Sequence, residues 1–269
     1  MVHADFMTHR THSRNASSAR AIPVEKLLQK IEDDPVLPVW WGKNQKGMQA
    51  REELAREDIE KARMLWLEGR DFNVGLARRL GKVGLHKQLA NRVAEPWMFI
   101  VVVLTATETD NYAALRTEGM AQPELEDVVV KTMTALKEST PQKLGRGAWH
   151  LPLVTGYDEV DLRARNFSDF DLCMVSSARC SRASYMTHEG KRDPVGDLDQ
   201  AENLISNGHM SPFEHVAQAM TVEQWEEYAM AAAHEWATKR VPVGNFWGWK
   251  QFRKTLRNEH DYSKIKGAR

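Results

Sequence analysis

Between Gln49 and Val83, the residues Leu54, Ala62, Leu65, Trp66, Leu76 and Leu80 recur near helical spacing while charges fill the other faces, which predicts one long amphipathic helix. Gly69 and Gly75 weaken its middle and mark where it would divide. A second helix is predicted from Pro123 to Lys137: Pro123 suits a first turn, and Leu125, Val128, Val129, Met133 and Leu136 form its apolar face, with Pro141 stopping it. A third, Asp197 to Ser206, carries the amphipathic run Leu198 to Ile205 and should stop at Asn207-Gly208, which leaves His209 just past a helix end. The apolar block Trp97 to Leu104 has no period, so by itself it reads as a buried strand or as part of a core helix. Gly145, Gly147, Pro152 and Gly156 interrupt the pattern and predict an irregular connection over 139–160. The tail from Lys264 is expected to be a mobile end.

A chain of 269 residues can bury a sizeable core, and one domain is the expected organisation. With 37 basic and 37 acidic residues the charge is balanced, so neither nucleic acid nor an anionic membrane is favoured as a partner. No apolar run approaches the ~18 residues of a membrane span, and the opening Met1-Val2-His3-Ala4-Asp5 lacks the apolar stretch of a signal peptide. Two cysteines cannot build a disulfide framework or a four-cysteine metal site, so a soluble protein in a reducing cytoplasm is expected. Cys173 sits in the apolar run Phe170 to Val175 and reads as a buried structural thiol, whereas Arg179 and Arg182 flank Cys180 and would lower its pKa. A P-loop, a GxGxxG fingerprint and a zinc-binding HExxH are all absent, and no metal is expected.

Basic character is local. Thr8 to Arg20 carries three arginines, two histidines and five hydroxyl side chains in thirteen residues. Guanidinium forks match phosphate oxygens and short hydroxyls add donors, so the segment suits a nucleotide phosphate; alternatively it is a solvated basic terminus. A second polar cluster, Gly208-His209-Met210-Ser211-Pro212-Phe213-Glu214-His215, follows the third predicted helix. Here Pro212 and Glu214 would equally suit a first helical turn, Ser211 and Ser184 would serve as caps, and His12 and His215 as structural histidines.

Taken together, these segments resemble a known family. Thr8 to Arg20 is similar to the RHRxxSxNExSxRY signature of the flavin-dependent thymidylate synthases, and Gly208 to His215 to that family's GHxSPFEH segment. Asn91 to Pro96 resembles its ARxxLP segment, Asn111 to Arg116 with Ala121-Gln122-Pro123-Glu124 its NFLxLR…AQxE helix pair, and Ser181 to Tyr185 its ARxSY turn. The arginine-rich segment comes first here, whereas in the family it follows the histidine-glutamate one, so the likeness is to a permuted, phage-like relative with a seam near 139–160. In blocks it covers roughly residues 1 to 135 and 176 to 220.

The resemblance implies a single helix-rich α/β domain over residues 1–269, and tips Trp97 to Leu104 towards helix. It implies FAD as a non-covalent cofactor, with NADPH and methylenetetrahydrofolate as co-substrates. The one-carbon unit would pass to C5 of a pyrimidine deoxynucleotide, dUMP first, in a homotetramer. By motif position, Arg10, Ser18 and Arg20 would hold the nucleotide, with Arg92 as another phosphate-side arginine. Arg116 would face the pyrimidine and act with Arg10 and Ser18 in the chemistry. His9, Asn111, Ser184, His209, Ser211 and Glu214 would contact flavin.

Departures from the family pattern leave alternatives open. Thr8 replaces the first arginine, Ala16 the glutamate, and Thr107 stands where the family has a flavin-side arginine. The run Gly244 to Glu259 echoes an RQxxRHRxxxxNE pattern, so Gln251, Arg253 and Glu259 would replace what is lost; a basic aromatic surface helix or strand is the other reading. Asp5 stands where a glutamine often precedes the motif, and a carboxylate accepts from the exocyclic amine of cytosine, so dCMP or a hydroxymethyl product is the nearest rival. A non-catalytic nucleotide-binding subunit is the reading from another class.

Overall fold

The computed structural model describes residues 12–47, 49–117, 119, 121–182, 193–233, 246–257 and 259. His9, Arg10 and Ser184, with Asp5 and Thr8, lie outside them. In chain order the strands are β1 (Ser13–Ala16), β2 (Val102–Thr105), β3 (Trp149–His150), β4 (Ala217–Ala219) and β5 (Trp249–Gln251). The helices are α1 (Val24–Asp33), α2 (Arg56–Lys82), α3 (Lys87–Ala90), α4 (Asp110–Ala114), α5 (Pro123–Glu138), α6 (Gly156–Ala164), α7 (Asp169–Ser181), α8 (Pro194–Ser206) and α9 (Val222–Ala233). Short 3-10 turns occupy Ala19–Ala21, Asn91–Trp97, Ser211–Glu214 and Phe252–Thr255. The protein is thus helix-rich and mixed α/β, with small sheets whose described strand pairs are all antiparallel. None of the helices among the described residues is long and apolar enough to cross a membrane.

The residues group into two units. The first contains Ser17–Val101 and Asp110–Ser139. Its core joins Leu27, Leu28 and Ile31 of α1 to Val74 and Ala77 of α2 and to Ala94 and Trp97. Trp66 and Trp97 pack with ring centroids 5.5 Å apart, and each indole N–H is satisfied, Trp66 donating to Val36 O (2.9 Å) and Trp97 to Trp66 O (3.1 Å). Arg78 ties the two helices electrostatically, with both Nη atoms 2.7 Å from the Glu32 carboxylate and Nε 3.1 Å from Glu25.

Helix α2 starts later than its periodicity suggests. Leu54 belongs to an extended loop, where Gly42 bridges Glu53 and the Lys43 and Leu54 amides bond to Glu52 O and Trp41 O. Nor do the glycines divide it: α2 runs 27 residues unbroken. Gly69 is needed for packing, because a Cβ there would come within 3.3 Å of the Trp97 ring.

The apolar block also differs from the helix implied by resemblance. It ends a 3-10 turn at Trp97 and enters strand β2, whose partner is β1 in the register Ser13↔Thr105 to Ala16↔Val102. β-branched Val101, Val102 and Val103 favour the pleated state, and the run has a strand partner supplied from far away in sequence.

The second unit contains His9–Ala16, Val102–Thr109 and Thr140–Arg269. Helices α7 and α8 pack with Met210, Phe213, Val216, Phe252 and Leu256 around Cys173, Met174 and Ala178. Both α6 and α7 open with reciprocal capping boxes, Thr155 with Asp158 and Ser168 with Asp171. Helix α8 stops at Asn207 with Gly208 at φ 74°, as its sequence predicts, so the segment from His209 leaves the helix abruptly.

Candidate functional site

Ser18, Arg20, Arg92, Asn111 and Arg116 belong to the first unit, and His209, Ser211 and Glu214 to the second. In the first unit, Ser18 caps the 3-10 turn Ala19–Ala21, its Oγ accepting from Arg20 N (3.3 Å) and Arg20 Nε (3.4 Å). The arginine is therefore folded onto the hydroxyl through Nε, and Arg20 is exposed and Ser18 half-buried, open enough to reach an anion.

What fixes this turn is a residue the sequence reading passed over. Asn91 is fully buried, and its Nδ2 donates to Ala19 O (2.8 Å) and Ile22 O (3.0 Å), while Lys87 Nζ donates to Ala21 O (3.2 Å). Asn91 precedes Arg92 in the segment matched to ARxxLP, so Arg92 is linked to the Ser18-Arg20 turn through its neighbour. Arg92 itself is exposed, 3.8 Å from Glu95, too far for a tight pair.

Arg116 lies just past α4, its Cζ 4.7 Å from the Tyr112 ring centroid. Its Nη1 makes a long contact to Tyr112 O (3.5 Å), and its buried Nε has no hydrogen-bond partner among the described residues. That is a pre-oriented cation with unspent donors. Asn111 is exposed in the first turn of α4.

In the second unit three separate segments converge. Gln251 is 1% exposed, and its Nε2 donates to Ser13 Oγ (3.0 Å) and Glu214 O (2.9 Å). Arg253 pairs with the Glu214 carboxylate and, through Nε, with Glu259 Oε2 (3.1 Å). Lys254 Nζ lies 3.1 Å from Glu259 Oε1. Burial pushes the Glu259 carboxyl up, but Lys254 and Arg253 together hold it below its ordinary value. The described residues of the Gly244 to Glu259 run, 246–257 and 259, include strand β5 but are not confined to the surface: Gln251 and Phe252 are buried, and Trp247 N donates to Thr107 Oγ1 (2.9 Å). Thr107, where the family pattern has an arginine, thus anchors that run.

His215 closes the same region. It is fully buried, with Nδ1 2.8 Å from Thr105 Oγ1, and burial, helped by nearby His150, lowers its pKa from 6.5 to about 4. A histidine depressed in the fold is neutral there, so its stabilising contribution is present above about 6.5 and is lost as pH falls towards about 4. The native protein should lose about 2 kcal/mol of unfolding free energy between pH 7 and 5 through this residue. Urea titration of His215→Gln should show that part of the slope removed; an unchanged pH profile would show that His215 already titrates normally.

His209 and Ser211 are exposed, and their side chains make no hydrogen bond among the described residues, which leaves them available to a ligand. The 3-10 turn Ser211–Glu214 is capped by Met210 without a side-chain bond, so Ser211 is not a cap here. Glu214 does sit in that first turn, with its carboxylate drawn to Arg253 as well.

Thiol chemistry is unsupported. Cys180 is fully buried and its pKa is pushed up to about 12, because burial outweighs the flanking arginines, one of which, Arg179, is engaged by Asp197 and Asp158. Burial, followed by Asp169, raises Cys173 as well. Among the described residues no group of three His, Cys, Asp or Glu side chains could hold a metal. A polar cavity of about 340 Å³ between the α6 N-terminus, Trp149 and Asp169 is lined by none of the candidate nucleotide- or flavin-contacting residues.

Comparison of the chain with protein-family models, characterised proteins and solved structures finds no match.

Proposed function

We propose that the protein is a flavin-dependent thymidylate synthase-like methyltransferase, a homotetramer in the cytoplasm, acting on dUMP. The observation that supports this most is the meeting, in the second unit, of Glu214 from the histidine-glutamate segment, Ser13 from the arginine-rich segment, and Gln251, Arg253 and Glu259 from the C-terminal run. The resemblance groups these motifs, although they are some 240 residues apart at the extremes (Gln251 and Ser13 are separated by 238). Arg253 and Glu259 supply the cation and carboxylate missing at Thr8 and Ala16.

In the second unit, His209 and Ser211 suit FAD, being exposed and uncommitted among the described residues; by the resemblance, Asn111 of the first unit would offer an amide. FAD held there would supply redox and one-carbon transfer chemistry, with NADPH as reductant and methylenetetrahydrofolate as the one-carbon donor. The chain's part is to hold and polarise. Ser18 and Arg20 bind the nucleotide phosphate, with Arg92 and Arg10 adding charge, and Arg116 beside the base stabilises negative charge developing on its oxygens. His9, Ser184 and Glu214 complete the flavin contacts.

Replacing Arg20 with alanine should weaken binding of dUMP by about 1.5 to 3 kcal/mol, the worth of hydrogen bonds to a charged group, as read by calorimetric titration. Unchanged affinity in a folded Arg20→Ala protein would remove the Ser18-Arg20 turn from the site. The same architecture acting on dCMP is the second reading, favoured by Asp5.

A further inference from the structure

Helix α2 buries Val74 and Ala77 on one side, yet its opposite side shows Leu65 and Phe72 to solvent, 66% and 64% exposed, with Met64, 63% exposed, on the flank. Such a cluster at the centre of a helix about 40 Å long costs solubility unless something covers it. The order of residues along this face says what does. Asp58, Leu65, Phe72 and Arg79 recur every seven positions, so they form one stripe that drifts only about 20° per repeat. Read backwards the stripe complements itself about a point between Glu68 and Gly69: an acid answers a base at the ends, and an apolar residue answers an apolar one in the middle.

We propose that α2 is a self-association surface, pairing antiparallel across a two-fold axis with the same helix of a second copy of this chain. Leu65 then meets Phe72 of the partner subunit, and Asp58 meets Arg79 of the partner subunit, each contact occurring twice by symmetry. Ala62 and Gly75 flank the stripe on either side, and these small residues let the backbones approach; a Cβ built on Gly75 meets nothing within 4 Å, so the space beside it is open in the single chain. Charge supports the antiparallel sense. On the stripe itself Asp58 near the start and Arg79 near the end carry opposite charges, whereas Arg56, Lys61 and Arg63 offset Glu57 and Glu60 elsewhere on the first turns and Arg78 is held by Glu25 and Glu32. A parallel pair would set like charges against each other. Lys61, 3.2 Å from Asp58, is an exposed pair within one helix and leaves the carboxylate accessible.

This surface stands apart from the reading of the chemistry, and its test reads assembly alone. Sedimentation equilibrium of the full chain at low ionic strength, with helix content checked by circular dichroism, compares the native protein with Phe72→Arg, Gly75→Arg, Asp58→Lys, Arg79→Glu and the double reversal Asp58→Lys, Arg79→Glu. Gly75→Arg is the variant least liable to unfold, since its side chain enters open space and glycine is a poor helix former. The native chain should form an even-numbered assembly. Phe72→Arg and Gly75→Arg should each weaken association by at least about tenfold, each single reversal by about tenfold, and the double reversal should return within about threefold of native. A native monomer, an assembly indifferent to Phe72→Arg and Gly75→Arg, or a double reversal as weak as the singles would each overturn the proposal; the first would leave α2 as a docking face for a different protein.

Discussion

Arg179→Met should destabilise the protein by about 3 to 5 kcal/mol, the cost of leaving buried charges without their partner. Arg179 is 2% exposed, and it joins three elements of the second unit: Nε lies 3.0 Å from Asp197 at the start of α8, and Nη1 lies 2.9 Å from Leu153 O and 3.3 Å from Asp158 in α6. Both carboxylates are themselves buried. Asp158 keeps its capping bonds to Thr155 and Asp197 keeps its pair with Arg182, but each loses the buried guanidinium that it shares with the other. Chemical denaturation of the variant reads the loss directly. A change below about 1 kcal/mol would mean that the two carboxylates are solvated or protonated once the arginine is gone.

The largest functional effect is expected at Arg116. Arg116→Lys keeps the charge but loses the planar fork that stacks on Tyr112, and the ammonium cannot present the same donors in a fixed direction. If Arg116 stabilises charge developing on the pyrimidine, the variant should lose about a hundredfold in kcat, the scale seen when one such donor is removed. KM for the nucleotide should move far less, since the interaction belongs to the transition state. Steady-state kinetics separate the two. Equal kcat in the native and Arg116→Lys proteins would assign Arg116 a packing role on Tyr112 only.

Elements with local signals were legible in the sequence. Helix α5 opens at Pro123 and α8 stops at Asn207-Gly208, because a proline at the first turn and a left-handed glycine act within a few residues of themselves. The block Trp97 to Leu104 was not legible, since a run without polar positions carries no period and its strand partner, β1, lies almost ninety residues earlier. The start of α2 was hidden for a related reason: Leu54 fits the helical period but is held by the Trp41 carbonyl.

The candidate site divides the same way. Gln251, Arg253 and Glu259 stood out by resemblance to the family's RQxxRHRxxxxNE run, whereas the bonds of Gln251 and Arg253 to Ser13 and Glu214 follow from long-range folding that the local sequence does not encode. Asn91 carried no signal of its own; only its burial and its two bonds to the Ala19 and Ile22 carbonyls reveal that it holds the Ser18-Arg20 turn. Its neighbour Arg92 stood out instead, because a charge is conspicuous in a sequence and a buried amide is not. At Cys180 the adjacent arginines visible in the sequence are outweighed by burial, which raises the thiol to about 12.

The central claim is tested most directly by supplying the purified chain, reconstituted with FAD, with NADPH and methylenetetrahydrofolate, and dUMP or dCMP in separate reactions, followed by mass analysis of the nucleotide. The account predicts a yellow protein that converts dUMP to a product heavier by one CH2, a methyl in place of the C5 hydrogen, with no product when FAD is omitted. A colourless protein that cannot take up FAD, or a flavin-loaded one that leaves both nucleotides unchanged, would contradict it.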